Sequence, residues 1–307
     1  MMPAGALAPA KAPRSAKREV KALVQRQQAE LDKYTTEQLR VLLPALRKAE
    51  ADCAALLRQV VEQDGAGELR WSAQRYRVAV AQLRAITHEI SRQLYGRLDE
   101  GVEGAQVRSI ADIQEQMARF SVAFEGSLRT IPLDVAAIVA KGDRMMIPRI
   151  RSSAARYRGA VFEDIRERLA ADILSGASIR ETAERLAQSG GPKGFIALQG
   201  VAGDPNAVLE FIPEGLFQRY RFWATRIVRT ELVAGYNQAA VDSIEELAAD
   251  VPDLGRIWIA DTKACIDCRR LDGKTAKGND TFPNGAKCPP AHPLCRCSCG
   301  AWRPGWN

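Results

Sequence analysis

Cysteine and histidine side chains with the spacing of metal ligands cluster towards the end of the sequence. Six of the seven cysteines lie between Cys265 and Cys299, together with one of the two histidines, His292. Cys265 and Cys268 have the two-residue spacing that lets two thiolates bind one tetrahedral ion, and His292 and Cys295 offer two further ligands. Thiolate and imidazole suit zinc, and no group of carboxylates is offered for a harder cation. The pattern therefore predicts a zinc site.

The choice of the fourth ligand stays open. In an extended segment Cys295 and Cys297 point to opposite faces, so only one of them is expected to bind the same ion. We favour Cys295, because it is close to His292, and keep Cys297 as the alternative. Cys288 and Cys299 are expected to lie outside the ligand set.

A structural metal site competes with two alternatives. The opening residues lack the apolar stretch of a secretory signal, so a reducing compartment is expected, where Cys beside His favours metal over disulfides. Paired disulfides or free buried thiols remain the alternative. A catalytic zinc needs an open coordination position and a nearby acid or base. Here the sequence offers more thiols than a four-coordinate zinc can bind, which leaves no position open. His292 is also the only imidazole near the cysteines, which argues against a Cys/His hydrolase.

Short strands are predicted on both sides of the cysteines. Residues 256–260 are β-branched and aromatic, which is typical of a strand. Asp272 and Gly273 indicate a tight turn, and residues 297–302 supply a return strand. A small antiparallel sheet is therefore expected to frame the metal site.

Long helices are predicted before this module. Residues 17–98 are rich in Ala, Leu, Arg, Glu and Gln, with apolar positions at helical spacing, which favours an antiparallel hairpin. Glycines at 101–104 are expected to close the hairpin. Gly142 and Pro148 predict a loose connection, with a boundary near Arg149. Beyond it, a helix is expected over residues 161–173 and a longer one over residues 214–247.

The fold class expected is mainly α: a long helical hairpin or bundle, followed by an α+β module with a small antiparallel sheet and a Cys/His zinc site. Three regions are predicted: a flexible basic arm at 1–20, a helical domain at 21–148, and a third domain at 149–307 whose zinc-binding part is 255–302. No stretch approaches the roughly 18 apolar residues of a membrane span.

The basic arm is a candidate for nucleic-acid binding. It supplies much of the formal net charge of +7 and lacks aromatic residues for base stacking. A solvated tail is the alternative. The candidate nucleic-acid contacts are Lys11, Arg14, Lys17, Arg18 and Lys21. The second histidine, His88, has no partner at ligand spacing and is expected to be structural or solvent-facing.

The order of motifs in the last part of the chain resembles the C-terminal domain of the phage Mu F-like minor head proteins. A strand with Trp, Asp-Thr, Cys-x-x-Cys, Leu-Asp-Gly-Lys, Pro-Pro and His-Pro-x-Cys-Arg-Cys follow one another, and the preceding helix RIVRTELVAGYNQAA belongs to the resemblance. The matching residues are Trp258, Asp261, Cys265, Cys268, Leu271, Asp272, Gly273, Pro290, His292, Pro293, Cys295, Arg296 and Cys297. Cys288 and Cys299 are additions to that pattern.

The resemblance implies a non-enzymatic head-morphogenesis protein of a tailed bacteriophage, present in several copies at the portal vertex of the virion and in the host cytoplasm during assembly. Its implied partners are the portal protein, the major capsid protein and packaged DNA, with the helical domain as the docking part. Two other hypotheses stay open: a metal-dependent nuclease or toxin-like enzyme, and a DNA-binding protein acting through the basic arm.

Overall fold

Four long helices make up most of the protein. The structure, a computed structural model, describes residues 16–62, 73–125, 132–177, 181, 194–197, 209–212, 216–251 and 253–304. The long helices are α1 (Ala16–Glu62), α2 (Ala73–Glu125), α3 (Val135–Leu174) and α4 (Leu216–Leu247). The mainly helical fold predicted from the sequence is thereby confirmed.

Consecutive long helices run antiparallel to one another. Gln27 and Tyr34 of α1 meet Glu115 and Gly104 of α2 in reverse order. The same reversal relates α2 to α3 and α3 to α4, where Arg149 contacts Glu231. The helices therefore form an up-and-down bundle, with the predicted antiparallel hairpin as its first half.

Glycines that suggested a turn and a loose connection lie inside helices instead. Gly101 and Gly104 are within α2, and a Cβ at Gly104 would lie 2.1 Å from Tyr34 Oη. Gly142 is within α3, where a Cβ would lie 2.5 Å from Gln106 Nε2. The predicted breaks at these positions are therefore wrong, because the missing side chains serve close contact between helices.

Two small sheets accompany the helices. Strands β1 (Gly194–Ala197) and β2 (Leu209–Ile212) pair as an antiparallel hairpin. The second sheet has the order β4-β3-β5, all antiparallel, with β3 (Gly255–Ile259), β4 (Thr275–Ala276) and β5 (Ser298–Trp302); the short helix α5 (Ile266–Leu271) lies between β3 and β4. The small antiparallel sheet expected around the cysteines is thus present.

One core joins the start of α1 to this second sheet. Val20 and Val24 of α1 pack in the same cluster as Ile257 of β3, Ala301 of β5 and Ile244 of α4. A separate cluster fills the other half of the bundle, and a third surrounds the cysteines. Because elements from both ends of the chain share a core, the sheet packs into the bundle and is not a separate unit next to it.

The predicted domain division stays a prediction. Arg149, where the boundary was expected, lies within the continuous helix α3, and α1 begins at Ala16, inside the expected arm. Among the described residues no helix combines the length and apolar character needed to cross a bilayer.

Candidate metal centre

The first pair of predicted ligands lies at the start of α5. Cys265 is the N-cap residue, its carbonyl oxygen accepts a hydrogen bond from Arg269 N over 2.9 Å, and Cys268 is in the first turn on the buried side. Asp261 Oδ1 accepts from Lys263 N over 2.8 Å and so shapes the turn that leads into the helix. Local hydrogen bonds therefore place both thiols on the inner side of the turn.

The second pair lies on a tight turn before β5. Cys295 N donates to His292 O over 3.2 Å, and Leu294 adopts a φ of 61°. This left-handed conformation is unfavourable for leucine, and the turn is held by Leu294 N donating to Thr230 Oγ1 of α4 over 3.1 Å. Helix α4 thus helps to fix the loop that carries His292 and Cys295.

The five predicted ligand residues come together around Cys268. Its Sγ lies 3.3 Å from His292 Nε2 and 3.7 Å from Cys295 Sγ, and Cys265 Sγ lies 3.2 Å from the same imidazole nitrogen. Cys268, Cys295 and Cys297 form a second group whose sulfurs all lie within 4.8 Å of one another. Two thiolates on one tetrahedral zinc, each about 2.3 Å from the ion, would be about 3.8 Å apart, so the spacing suits such an ion.

Cys295 and Cys297 lie on the same side of the chain. Their sulfurs belong to one group with Cys268, and all three residues are almost completely buried. The expectation that the two side chains point to opposite faces is wrong, because residues 295–297 are irregular and β5 begins only at Ser298. Both thiols can therefore reach the cluster, and the fourth-ligand question stays open between them.

The imidazole of His292 is oriented for coordination through Nε2. Its Nδ1 lies 2.8 Å from the carbonyl oxygen of Pro293, an acceptor that requires a proton on Nδ1. The neutral tautomer then carries its lone pair on Nε2, the nitrogen that faces the sulfurs of Cys265 and Cys268. Metal-binding histidines are usually oriented by this type of backbone contact.

Hydrogen bonds favour a thiolate at Cys295. The thiols of Cys268 and Cys297, followed by the backbone amides of Cys297 and Ala291, hydrogen-bond to its sulfur and lower its pKa against the effect of burial. The contact with Cys295 raises the pKa of Cys268. The pKa of Cys297 is raised to about 12: the hydrogen bond with Cys268 lowers it, but the contact with Cys295 and burial raise it by more, and the amide of Asp261 lowers it only slightly. Backbone donors aimed at sulfur are suited to a metal-bound thiolate.

The two remaining described cysteines lie apart from this cluster. Cys299 is in β5, packs in the core shared with α1 and α4, and has a pKa raised well above its ordinary value by burial. Cys288 packs against the same core, and burial raises its pKa to about 11. Neither belongs to a group of metal-ligand geometry among the described residues. The side chain of Cys53 lies outside the described residues.

Buried amide side chains, which the sequence did not single out, attach the module to the helices. Asn237 of α4 donates to Cys297 O over 3.2 Å and accepts from Cys299 N over 2.8 Å. Gln116 of α2 accepts from Ala301 N over 2.8 Å, and Gln28 of α1 donates to Ile259 O over 2.9 Å. A polar residue on an otherwise apolar helix face, as Asn237 is in RIVRTELVAGYNQAA, is the signal that could have identified it.

A cleft of about 280 Å³ separates α1 and α4 from the two ligand loops. Asp32 of α1 lies in it and pairs with Arg229 over 2.7 Å and with Arg296 over 3.8 Å. Lys263 and Asp261 complete its charged lining. Because Arg296 pairs with Asp32, its side chain points towards α1. This pair helps to anchor the loop that carries His292 and Cys295.

The candidate nucleic-acid contacts of the basic arm divide into three cases. Lys11 and Arg14 lie outside the described residues. Lys17 and Lys21 are on α1 and face the module: Lys17 lies 5.9 Å from the ring centre of Trp302, and Lys21 pairs with Asp272. Arg18 is exposed on the same helix.

The donor set fits zinc. Thiols and one imidazole with a protonated, hydrogen-bonded Nδ1 provide soft and borderline ligands, and neither candidate group contains a carboxylate. The fold and site thus define a helical-bundle protein that carries a Cys/His module of metal-binding type.

Comparison with known families agrees with the motif order. Residues 163–299 match the family model described as Phage Mu protein F like protein, a segment that begins inside α3 and ends in β5. The match confirms that this C-terminal segment resembles the family, and the family suggests phage head morphogenesis. No curated protein and no solved structure matches the chain.

Proposed function

We propose that this protein is a structural minor head protein of a tailed phage, acting at the portal vertex, and that zinc stabilises its C-terminal module. The observation that carries the structural role is the burial of the ligand cluster: Cys268, Cys295 and Cys297 are 1–2% exposed and pack with Trp258 and Phe282. A closed, thiol-rich shell of this kind favours stabilisation of a fold over catalysis.

The proposed ligands are Cys265, Cys268, His292 and Cys295, with Cys297 as the alternative to Cys295. When bound, zinc would connect the turn at α5 to the turn before β5 and so hold together two loops that have little regular structure. Cys265 and His292 supply its more exposed side, and the buried thiols supply the side facing Trp258.

Metal analysis of purified protein tests the zinc part. About one zinc per chain is expected, with loss of bound metal in Cys268→Ser and retention in Cys288→Ser, a control cysteine outside the cluster. Comparing Cys295→Ser with Cys297→Ser identifies the fourth ligand, because only one of them should release zinc to a weak chelator. Wild-type protein without metal would contradict the proposal.

The portal part rests on the family resemblance and on the shape of the bundle. Helix α2 has 53 residues and is about 80 Å long, so the bundle offers a long outer surface to a partner. Exposed apolar side chains, among them Met145 and Val107, occur on that surface. Docking on the portal protein, with the major capsid protein as a second partner, is tested by co-purification from phage-infected cells. Absence of both from a complex with the intact chain would contradict it.

A nuclease assay tests the non-enzymatic role. Metal-loaded protein incubated with DNA and RNA is expected to leave both intact. Cleavage that is lost in His292→Ala, with the helical circular dichroism signal retained, would replace the structural role with an enzymatic one.

A further inference from the structure

A shallow groove between α2 and α3 lies far from the cysteine cluster. It has a volume of about 660 Å³, and its floor is formed by small residues, with Ser91 Oγ donating to Ala154 O over 3.1 Å. Along α2, Arg92 is about 36 Å from Gln116, which contacts the module. The groove is therefore a separate surface of the bundle, independent of any metal.

The walls of the groove carry positive charge. Residues 144–162 of α3 include five arginines and no acidic residue. Arg149 is turned towards Glu231, whereas Arg151 and Arg158 line the groove. Arg92 and His88 line it from α2, and Glu89 is the one acidic residue in the lining.

The two α3 arginines contact Tyr95 and His88 rather than carboxylates. Arg151 lies over the ring of Tyr95 at 5.9 Å, with its Nε 3.4 Å from the hydroxyl oxygen, and Arg158 Nη1 lies 3.3 Å from His88 Nδ1. Within the described part of the chain neither forms an ion pair with a carboxylate. Glu89 is engaged by Arg92 through both carboxylate oxygens. Two guanidinium groups are thus pre-positioned without an ion-paired carboxylate, and Asp99 acts on Arg151 only as a nearby charge outside the groove lining.

The lining indicates which anion would fit. It contains no large aliphatic side chain, and its one aromatic residue, Tyr95, is in contact with Arg151. Guanidinium groups bind phosphate through paired N–H donors, and a floor of Ala and Ser lets a polymer backbone approach closely. We propose that this groove binds the phosphate backbone of nucleic acid, without sequence preference.

A charge-reversal pair tests the inference. Arg151→Glu/Arg158→Glu is compared with Arg144→Glu/Arg156→Glu, which changes the net charge equally on the same helix but outside the groove lining. Binding of the full chain to a short fluorescein-labelled duplex is measured by anisotropy at several salt concentrations. The groove variant should bind at least about tenfold more weakly and lose about two units of salt slope, one for each phosphate contact. The control should lose about twofold or less.

Four results would overturn the inference: no binding by the wild type, equal loss in both charge-reversal variants, equally tight binding of polyglutamate, which would indicate an acidic protein partner, or a loss confined to a variant of the basic arm. The variant Lys11→Glu/Arg14→Glu distinguishes binding by the basic arm from binding by the groove. If this variant loses all binding while the groove variant loses none, the arm is the site. Thermal melting by circular dichroism confirms that each variant is folded. Zinc content and portal binding are read separately, so failure here leaves the proposed function untouched.

Discussion

Asn237 of α4 donates a hydrogen bond from Nδ2 to the carbonyl oxygen of Cys297 over 3.2 Å, at the point where the ligand loop enters β5. Its Oδ1 accepts from Cys299 N, so one side chain satisfies two backbone groups on the edge of β5 that no described strand covers. Edge strands normally expose such groups. Here a helix completes the sheet, which makes the bundle and the cysteine module parts of one structure.

Asn237→Leu should lower the free energy of unfolding by about 2–6 kcal/mol, because two buried backbone groups lose their partner at about 1–3 kcal/mol each. Urea denaturation measures the change. The control is Ser243→Ala, at another buried position on α4, whose hydroxyl bonds only within its own helix to Ala239 O. Its loss should be below about 1 kcal/mol, and equal losses would contradict the role of Asn237.

Gly235→Ala should destabilise the contact between α2 and α4 by about 1–3 kcal/mol, despite the higher helix propensity of alanine, because its Cβ would lie 2.8 Å from Val102 Cγ1. A double-mutant cycle with Val102→Ala should recover about 1–2 kcal/mol as coupling. Gly96→Ala is the matched control: nothing lies within 4 Å of the position that its Cβ would occupy, so it should stabilise by about 0.5–1 kcal/mol. Additive effects in the cycle would show that Val102 is not the obstacle.

Substitutions at Asp272 should separate its ion pair from its backbone contact. Oδ2 pairs with the partly exposed Lys21, and Oδ1 accepts from Ala260 N over 3.0 Å. Asp272→Asn keeps an acceptor and should cost under about 1 kcal/mol, whereas Asp272→Ala should cost about 1–2 kcal/mol. Lys21→Met should match the asparagine variant in thermal denaturation. If the asparagine variant is as unstable as the alanine variant, the ion pair supplies the larger part of the stability that Asp272 contributes.

Asp112 should make the protein less stable as pH rises from about 4 to about 6. Burial raises its pKa to about 6, against the hydrogen bond from Tyr236, with Glu115 raising it and Arg108 and Arg26 lowering it. Its pKa in the unfolded chain is about 3.9, so the folded state binds the proton more tightly in this window and loses stability as the proton leaves.

Asp112→Asn removes that titration. The variant should exceed the wild type by up to about 2–3 kcal/mol at pH about 7.5, and the difference should vanish near pH 4. Urea unfolding of both proteins across this range measures it. A difference that does not vary with pH would show that Asp112 titrates normally.

Cysteine spacing predicts the turns that bear the ligand residues, and helical periodicity predicts the long helices. The spacing predicts Cys265, Cys268, His292 and one of Cys295 and Cys297 as ligands, because local turns control which thiols can converge, and the structure places these residues in two groups that share Cys268. The long helices followed from composition. Gly101, Gly104 and Gly142 were misread because a glycine needed for close helix packing looks, in one dimension, like a glycine needed for a turn.

The sequence by itself determined the helical class, the two cysteine-bearing turns and the family resemblance. Only the tertiary structure decided that Cys295 and Cys297 share a side, that Asn237 and Gln116 complete the sheet edge, and that Lys17 and Lys21 face the module. Local motifs depend on residues a few positions apart, which a sequence displays directly. Contacts such as Gln116 with Ala301 join residues far apart in the chain, and only packing of the bundle determines which side chain meets which strand.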